Sequence, residues 1–291
     1  MSTVTLRSGE ATAEFAFRGA EPVSWRVGGR ELIWHGDPAH WAGRAPILFP
    51  VVGASNEGQV RVGGQAYPMP QHGFARGSTF ELVDQDDDRV RLRLTDSPET
   101  RQHFPFAFRL EVAAALDATT LRLDFEVANP GDGSLPYALG FHPAFPWPFA
   151  ADGIEGHAVA FEAAESPMIP SIMATGVLDP VRRPVPLEGR RLPLTLTPQL
   201  FAQGALLFLD AKSREMRFVA PSGAAIGMEM EDFPHLAVWT RPTAPFVSLE
   251  AWTGHADWNG FSGELSERNT MRLLAPGACG RHAVTLRWHE G

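Results

Sequence analysis

Apolar and polar residues alternate with a period of two in short stretches along the whole chain. Ala13-Glu14-Phe15-Ala16-Phe17, Val90-Arg91-Leu92-Arg93-Leu94, Leu121-Arg122-Leu123-Asp124-Phe125-Glu126-Val127 and Val284-Thr285-Leu286-Arg287-Trp288 each put their apolar side chains on one face of an extended segment. That period is the signature of a strand with one buried and one wet face. Two Gly-Gly pairs separate such runs, Gly28-Gly29 after Val23–Val27 and Gly63-Gly64 after Gln59–Val62. Two consecutive glycines admit the positive φ that tight hairpin turns need, so both pairs predict β-hairpins. No segment keeps apolar residues three and four apart over the roughly ten positions a helix requires. Ser97–Phe104 is the best candidate for a short helix.

Glycine and proline, at 28 and 25 of 291 residues, exceed the roughly 12 % of average usage and fall between the strand-like runs. Strands at this spacing over nearly the whole length predict an all-β fold, a large antiparallel sandwich or barrel forming one domain over residues 1–291. The stretch from Gly153 to Pro198 is irregular and proline-rich, and reads as long excursions on the sandwich surface.

Composition narrows the functional classes. With 44 % hydrophobic and 20 % charged residues the chain is globular, not disordered. No apolar run reaches the length of about 20 residues that a bilayer demands, and the N-terminus lacks a secretory pattern, so a soluble cytoplasmic protein is expected. The single cysteine, Cys279, excludes an internal disulfide and a thiolate zinc cluster. A net charge of -9, with no basic cluster longer than Arg182-Arg183 or Arg190-Arg191, disfavours nucleic acid and anionic membranes as partners. A small neutral ligand is the expectation, on a monomer or homodimer. Ten histidines raise a metal hypothesis, but no H-E-x-x-H or H-x-H spacing occurs, and His35 with His40 is a poor pair. Neither a G-x-S-x-G elbow nor a P-loop is present.

Polar groups that are awkward as structure gather in GRAPILFPVVG at 43–53, PMPQHGFAR at 68–76, YALGFHPAFPWP at 137–148, LLFLDAKS at 206–213 and FVSLEAWTGHADWNG at 246–260. In the last, Glu250 interrupts a strand-like apolar run. A carboxylate so placed is partly desolvated and becomes a useful proton acceptor near neutrality; a solvent-facing strand glutamate is the alternative. His72 and His142 each stand among glycine, proline and aromatic residues, as expected at strand ends facing a cleft. Arg44 and Arg76 bracket the first two clusters, and either can bind a substrate oxygen or pair with a surface acid. Trp41, Phe74, Phe145, Trp147, Trp252 and Trp258 lie beside the clusters, as sugar-stacking rings or as ordinary core. Asp257 beside His255 reads as a turn-former or a ligand-binding group, with the turn favoured.

The five segments, in this order and at these intervals, resemble the aldose 1-epimerase (mutarotase) family, and more closely a bacterial branch of epimerase-like proteins than the galactose mutarotases. The resemblance spans nearly the whole chain. It implies a galactose-mutarotase-like β-supersandwich, no cofactor, and interconversion of the α and β anomers of a free hexose. Carried over by motif, Glu250 is the base at the anomeric hydroxyl and His142 the acid at the ring oxygen. His72 polarises that same oxygen, Arg44 binds sugar oxygens and Asp210 binds ring hydroxyls; beside these, Arg76 and Trp252 are expected as further substrate-binding residues. The galactose enzymes carry an asparagine-rich segment and a doubled histidine where this chain has Pro70-Gln71-His72-Gly73-Phe74, so galactose preference does not transfer. Two further readings stand beside this one. One is a hexose-6-phosphate 1-epimerase using Arg76 or Arg44 for the phosphate; the other is a non-catalytic carbohydrate-binding protein.

Overall fold

Wherever the sequence alternates, the chain pleats. A computed structural model describes residues 2–187 and 193–291, which leaves the Arg190-Arg191 pair outside the described residues. Cys279–His289, Thr120–Ala128, Arg109–Asp117 and Arg89–Thr95 lie side by side in a nine-stranded sheet. Glu81–Gln85 closes one edge; Ala225–Glu231, Glu215–Val219, Ala158–Phe161 and Leu194–Thr195 extend the other. All pairings in this sheet are antiparallel. Leu92, Leu110, Val112, Leu121, Leu123, Phe125, Val284 and Leu286 are buried, and the residues between them carry ion pairs such as Arg93–Glu111 at 2.7 Å.

Both glycine pairs form the hairpins they predict. Gly28 and Gly29 (φ 55° and 76°) join Pro22–Val27 to Arg30–Glu31, and Gly63 and Gly64 (φ 59° and 77°) join Gln59–Val62 to Gln65–Pro68. Positive φ at both central positions twists the turn in the sense the strands require. The predicted helix is shorter than its candidate segment: it spans Pro98–Arg101, opened by a capping box between Ser97 and Thr100. Pro105 lacks the N–H that another turn would need.

A second sheet carries the strands that matter for chemistry. Its order is Leu206–Phe208, His235–Trp239, Phe246–Trp252, Gly140–Phe141, Ile47–Leu48, and Ala144–Pro146 also pairs with Phe246–Trp252. Phe141, Leu236, Val238, Val247, Leu249 and Ala251 turn toward the nine-stranded sheet and share one core with its inner face and with Leu6, Phe15 and Trp25 of the N-terminal sheet. A fully buried leucine in such a core is worth about 1.5–3 kcal/mol relative to exposure. The outer face of the second sheet is left free to build a cleft.

The segment from Gly153 to Pro198 departs from the expected surface excursions. Ala158–Phe161 and Leu194–Thr195 are sheet strands, and Met168–Ile172 with Leu178–Pro184 forms a hairpin whose Ile172, Gly176 and Leu178 wall the cleft. No helix among the described residues is long and apolar enough to cross a membrane.

Candidate active site

The strand Phe246–Trp252 is buried at every position, yet alternation still sorts its side chains. Val247, Leu249 and Ala251 join the main core, so Ser248, Glu250 and Trp252 point to the opposite face. Across the sheet Glu250 is in register with Ala237, and Ala237 with Leu207. On the other side, Gly140–Phe141 and Ala144–Pro146 pair with the same strand, and His142-Pro143 is the break between them. That break aims the imidazole over Glu250.

The result is a cleft of about 450 Å³ lined by Trp41, His72, Arg76, His142, Trp239, Arg241, Glu250 and Trp252, with Leu178 and Leu207 among its apolar walls. His142 Nε2 lies 3.3 Å from Glu250 Oε2, and Trp252 Nε1–H donates to the same oxygen at 3.1 Å. The imidazole is stacked on Trp41, with ring centroids 5.0 Å apart, and meets the Trp239 ring edge-on at 5.3 Å. Glu250 is 1 % exposed, and burial pushes its carboxyl well above the ordinary range, opposed only by the Trp252 N–H. Burial likewise pushes His142 well below the ordinary histidine value, helped by the neighbouring His72 and Arg76. Both groups are driven toward their neutral forms, leaving one exchangeable proton between them.

His72 reaches the cleft from a tight turn. Its φ is 66°, its N–H donates to Gly53 O at 2.9 Å, and its Nδ1 accepts from Gly53 N–H at 3.1 Å. With Nδ1 accepting, the ring proton sits on Nε2. Burial, aided by the Arg76 charge, holds the ring's pKa down to about 3, so it is a neutral donor. Its centroid is 6.1 Å from that of His142.

Of the residues expected from sequence, Glu250, His142, His72, Arg76 and Trp252 come together here. Arg44 and Asp210 do not line the cleft. Arg44 Nε donates to His35 O at 2.8 Å, which turns the guanidinium aside. Asp210 occupies a turn with φ 55° and a side chain 91 % exposed, 4.0 Å from His235 Nδ1. Among the flanking rings, Phe145 and Trp147 are core and Phe74 packs against it, while Trp258 sits behind the cleft against His255. Asp257 lies outside this cleft: it forms a buried ion pair with Arg268 at 2.9 Å and accepts from Asn56 N–H. His35 and His40 pack on Trp34. No group of three or more His, Cys, Asp or Glu side chains that could hold a metal ion occurs among the described residues.

Trp239 and Arg241 were not legible in the sequence because HLAVWTR reads as an ordinary apolar strand with a polar group at each end. The signal for Trp239 was the cross-strand register, which places it opposite Ser248; Arg241 lies beyond that strand and had none.

Residues 2–265 match the family model described as aldose 1-epimerase. The chain belongs to the aldose 1-epimerase family. One relative, the plasmid-encoded protein LacX of Lactococcus lactis subsp. lactis, is 31 % identical over 263 residues, covering 87 % of this chain and 88 % of that protein. A crystal structure of a galactose mutarotase-like protein from Lactobacillus casei superimposes with a TM-score of 0.91 at 32 % identity, covering 99 % of this chain and all of that one. The galactose 1-epimerase of Lactobacillus acidophilus, at 14 % identity and a TM-score of 0.71 over 99 % of this chain and 94 % of that one, shares the fold. The two packed antiparallel sheets are thus the galactose-mutarotase-like supersandwich of this aldose epimerase family.

Proposed function

We propose that this protein interconverts the α and β anomers of a free aldose by acid–base opening and reclosure of the hemiacetal ring. The observation that carries the reading is the buried His142–Glu250 contact of 3.3 Å, facing the neutral Nε2–H of His72 across a sugar-sized cleft. As a sugar docks, its hydroxyls and the Trp252 N–H solvate the Glu250 carboxylate, and the shared proton passes to His142. Glu250 then takes the O1 proton while His142 Nε2–H protonates the ring oxygen O5, with His72 donating a hydrogen bond to that oxygen. The C1–O5 bond breaks and C1=O1 forms. Burial favours this transfer, because proton movement from His142 through the sugar to Glu250 restores two neutral groups. After rotation about C1–C2 the O5 proton returns to His142, and Glu250 returns its own to O1. Each positioned acid or base contributes about 10²–10⁴-fold.

Glu250→Gln tests the proposal by polarimetry. Anomer exchange is expected to fall to the spontaneous rate; an unchanged rate removes the base. Calorimetric sugar titration beside that assay separates this reading from a carbohydrate-binding protein, which binds without accelerating exchange.

One observation favours a phosphorylated sugar as a second reading. Arg76 and Arg241 line the cleft, and neither forms an ion pair with a carboxylate among the described residues. Arg44 does not line the cleft. If phosphate is bound here, Arg76→Ala and Arg241→Ala lower kcat/KM for a hexose 6-phosphate far more than for the free hexose; equal effects on both sugars dismiss the second reading.

A further inference from the structure

One buried hydroxyl behind the imidazole has no part in the scheme above. Ser248 is fully buried, two residues before Glu250 on the same face of the same strand. Its Oγ lies 2.6 Å from the carbonyl oxygen of Pro143 and 2.8 Å from His142 Nδ1. A carbonyl oxygen only accepts, so the single hydroxyl proton of Ser248 goes to Pro143. Oγ can then meet the imidazole only with a lone pair, which requires the ring proton on Nδ1. Nε2 is left as the nitrogen that gains and loses the exchangeable proton, and it is the one facing Glu250 Oε2. His72 is fixed the opposite way, since Gly53 N–H donates to its Nδ1 and puts its proton on Nε2. The two imidazoles of the cleft are therefore held in opposite tautomers, one as a permanent donor and one as an exchanging group.

We propose that Ser248 is a positioning residue that locks His142 in the Nδ1–H tautomer and thereby makes Nε2 the working nitrogen. This rests on the reading of Glu250 and His142 as an acid–base pair. One strand thus carries both the carboxyl group and the hydroxyl that sets the tautomer of its partner. Without the hydroxyl, an Nδ1–H would lose its side-chain acceptor and keep at most the residue's own backbone carbonyl, so the neutral ring would favour its proton on Nε2. There it would occupy the site where Glu250 has to exchange.

The experiment uses the full chain labelled with ¹⁵N-histidine, with the His142 signals assigned by their loss in His142→Asn. At neutral pH the unaltered protein is expected to show His142 as Nδ1–H and His72 as Nε2–H. Ser248→Ala is expected to convert His142 to Nε2–H and to lower kcat for anomer exchange about 10–100-fold, with KM within twofold. Ser248→Thr, which keeps the hydroxyl, restores the tautomer and most of kcat. An Nε2–H tautomer in the unaltered protein overturns the proposal, even if Ser248→Ala does not fold. So does a Ser248→Ala protein in which His142 keeps Nδ1–H, or one whose tautomer changes while kcat stays within twofold. If the unaltered protein fails to accelerate exchange on any aldose, the acid–base reading falls, while the tautomer measurement still reports what Ser248 does.

Discussion

Glu250 and His142 are displaced in opposite directions for one reason: removing either charged form from water is unfavourable. Because they touch, they titrate as a pair. A second exchangeable proton enters only well below the ordinary histidine value of 6.5, and the last one leaves only well above the ordinary glutamate value of 4.5. The kcat/KM profile for anomer exchange is therefore expected to be bell-shaped, with its acid limb well below 6.5 and its alkaline limb well above 4.5, falling in acid when each group holds a proton and in alkali when neither does. An acid limb centred at 6.5 would contradict it. Stability carries the same signature. Above pH 4.5 the unfolded carboxyl ionises while the folded one stays protonated, so the folded state loses stability as pH rises toward the folded value. Glu250→Gln removes that pH-dependent cost, although no single amide atom can serve both His142 Nε2 and Trp252 Nε1–H as Glu250 Oε2 does. Its Tm relative to the parent's should therefore rise between pH 4.5 and pH 7, by roughly 2–4 °C per kcal/mol of relief in a chain of this size. A difference that falls over that range would show that Glu250 is held as an anion.

At the scale of elements, the cleft depends on how closely the turn bearing His72 approaches the segment around Phe49. Gly73 has φ 71°, and a Cβ there would overlap the Phe49 carbonyl group. The same contact forms the bridge between Phe49 and Gly73, with Phe74 N–H donating to Phe49 O at 3.0 Å. Gly73→Ala must push the turn outward and carry His72 with it. Gly58, at φ 67°, has nothing within 4 Å of a Cβ, so Gly58→Ala brings only backbone strain of about 1–2 kcal/mol. Thermal unfolding and polarimetry should show Gly73→Ala losing stability and more than 10-fold in kcat/KM, and Gly58→Ala keeping its activity. Equal activities would mean the turn is not what places His72. Local pattern made much of this legible. Period-two alternation found the long strands, the glycine pairs found their hairpins, and a charge inside an apolar run picked out Glu250. Register between strands distant in sequence was not legible, so the Ala237 partner of Glu250, the Trp239 edge and the hairpin wall at Ile172 and Leu178 went unseen. Motif likeness gave Arg44 and Asp210 their places in the chain but not the direction of their side chains, which backbone carbonyls and left-handed turns decide.

Across the whole molecule the site joins segments some 200 residues apart, and one buried ion pair holds them in place. Asp257 and Arg268, at 5 % exposure each, meet at 2.9 Å. Asp257 also accepts from Asn56 N–H at 2.8 Å, its own N–H donates to Ala54 O at 2.9 Å, and Arg268 donates to the carbonyls of Val52 and His255. The segment so anchored includes Gly53, whose N–H sets the His72 tautomer, and Ala256, which lines the cleft. Desolvation makes such a pair a poor source of net stability, but breaking it leaves a buried charge without a partner, at about 3–5 kcal/mol. Asp257→Ala should therefore destabilise the fold by that amount in urea unfolding. Arg26→Ala, which removes the base of the half-exposed Arg26–Glu31 pair, should cost only about 0–1 kcal/mol. Joining Asp257→Ala to Arg268→Met removes the stranded charge but also the donor to two buried carbonyls, so the double variant should recover only part of the loss. Full recovery would mean that the pair alone, and not the backbone it clasps, matters to the fold. No loss in Asp257→Ala would show that water reaches Arg268 and that the two halves of the site are held by something else.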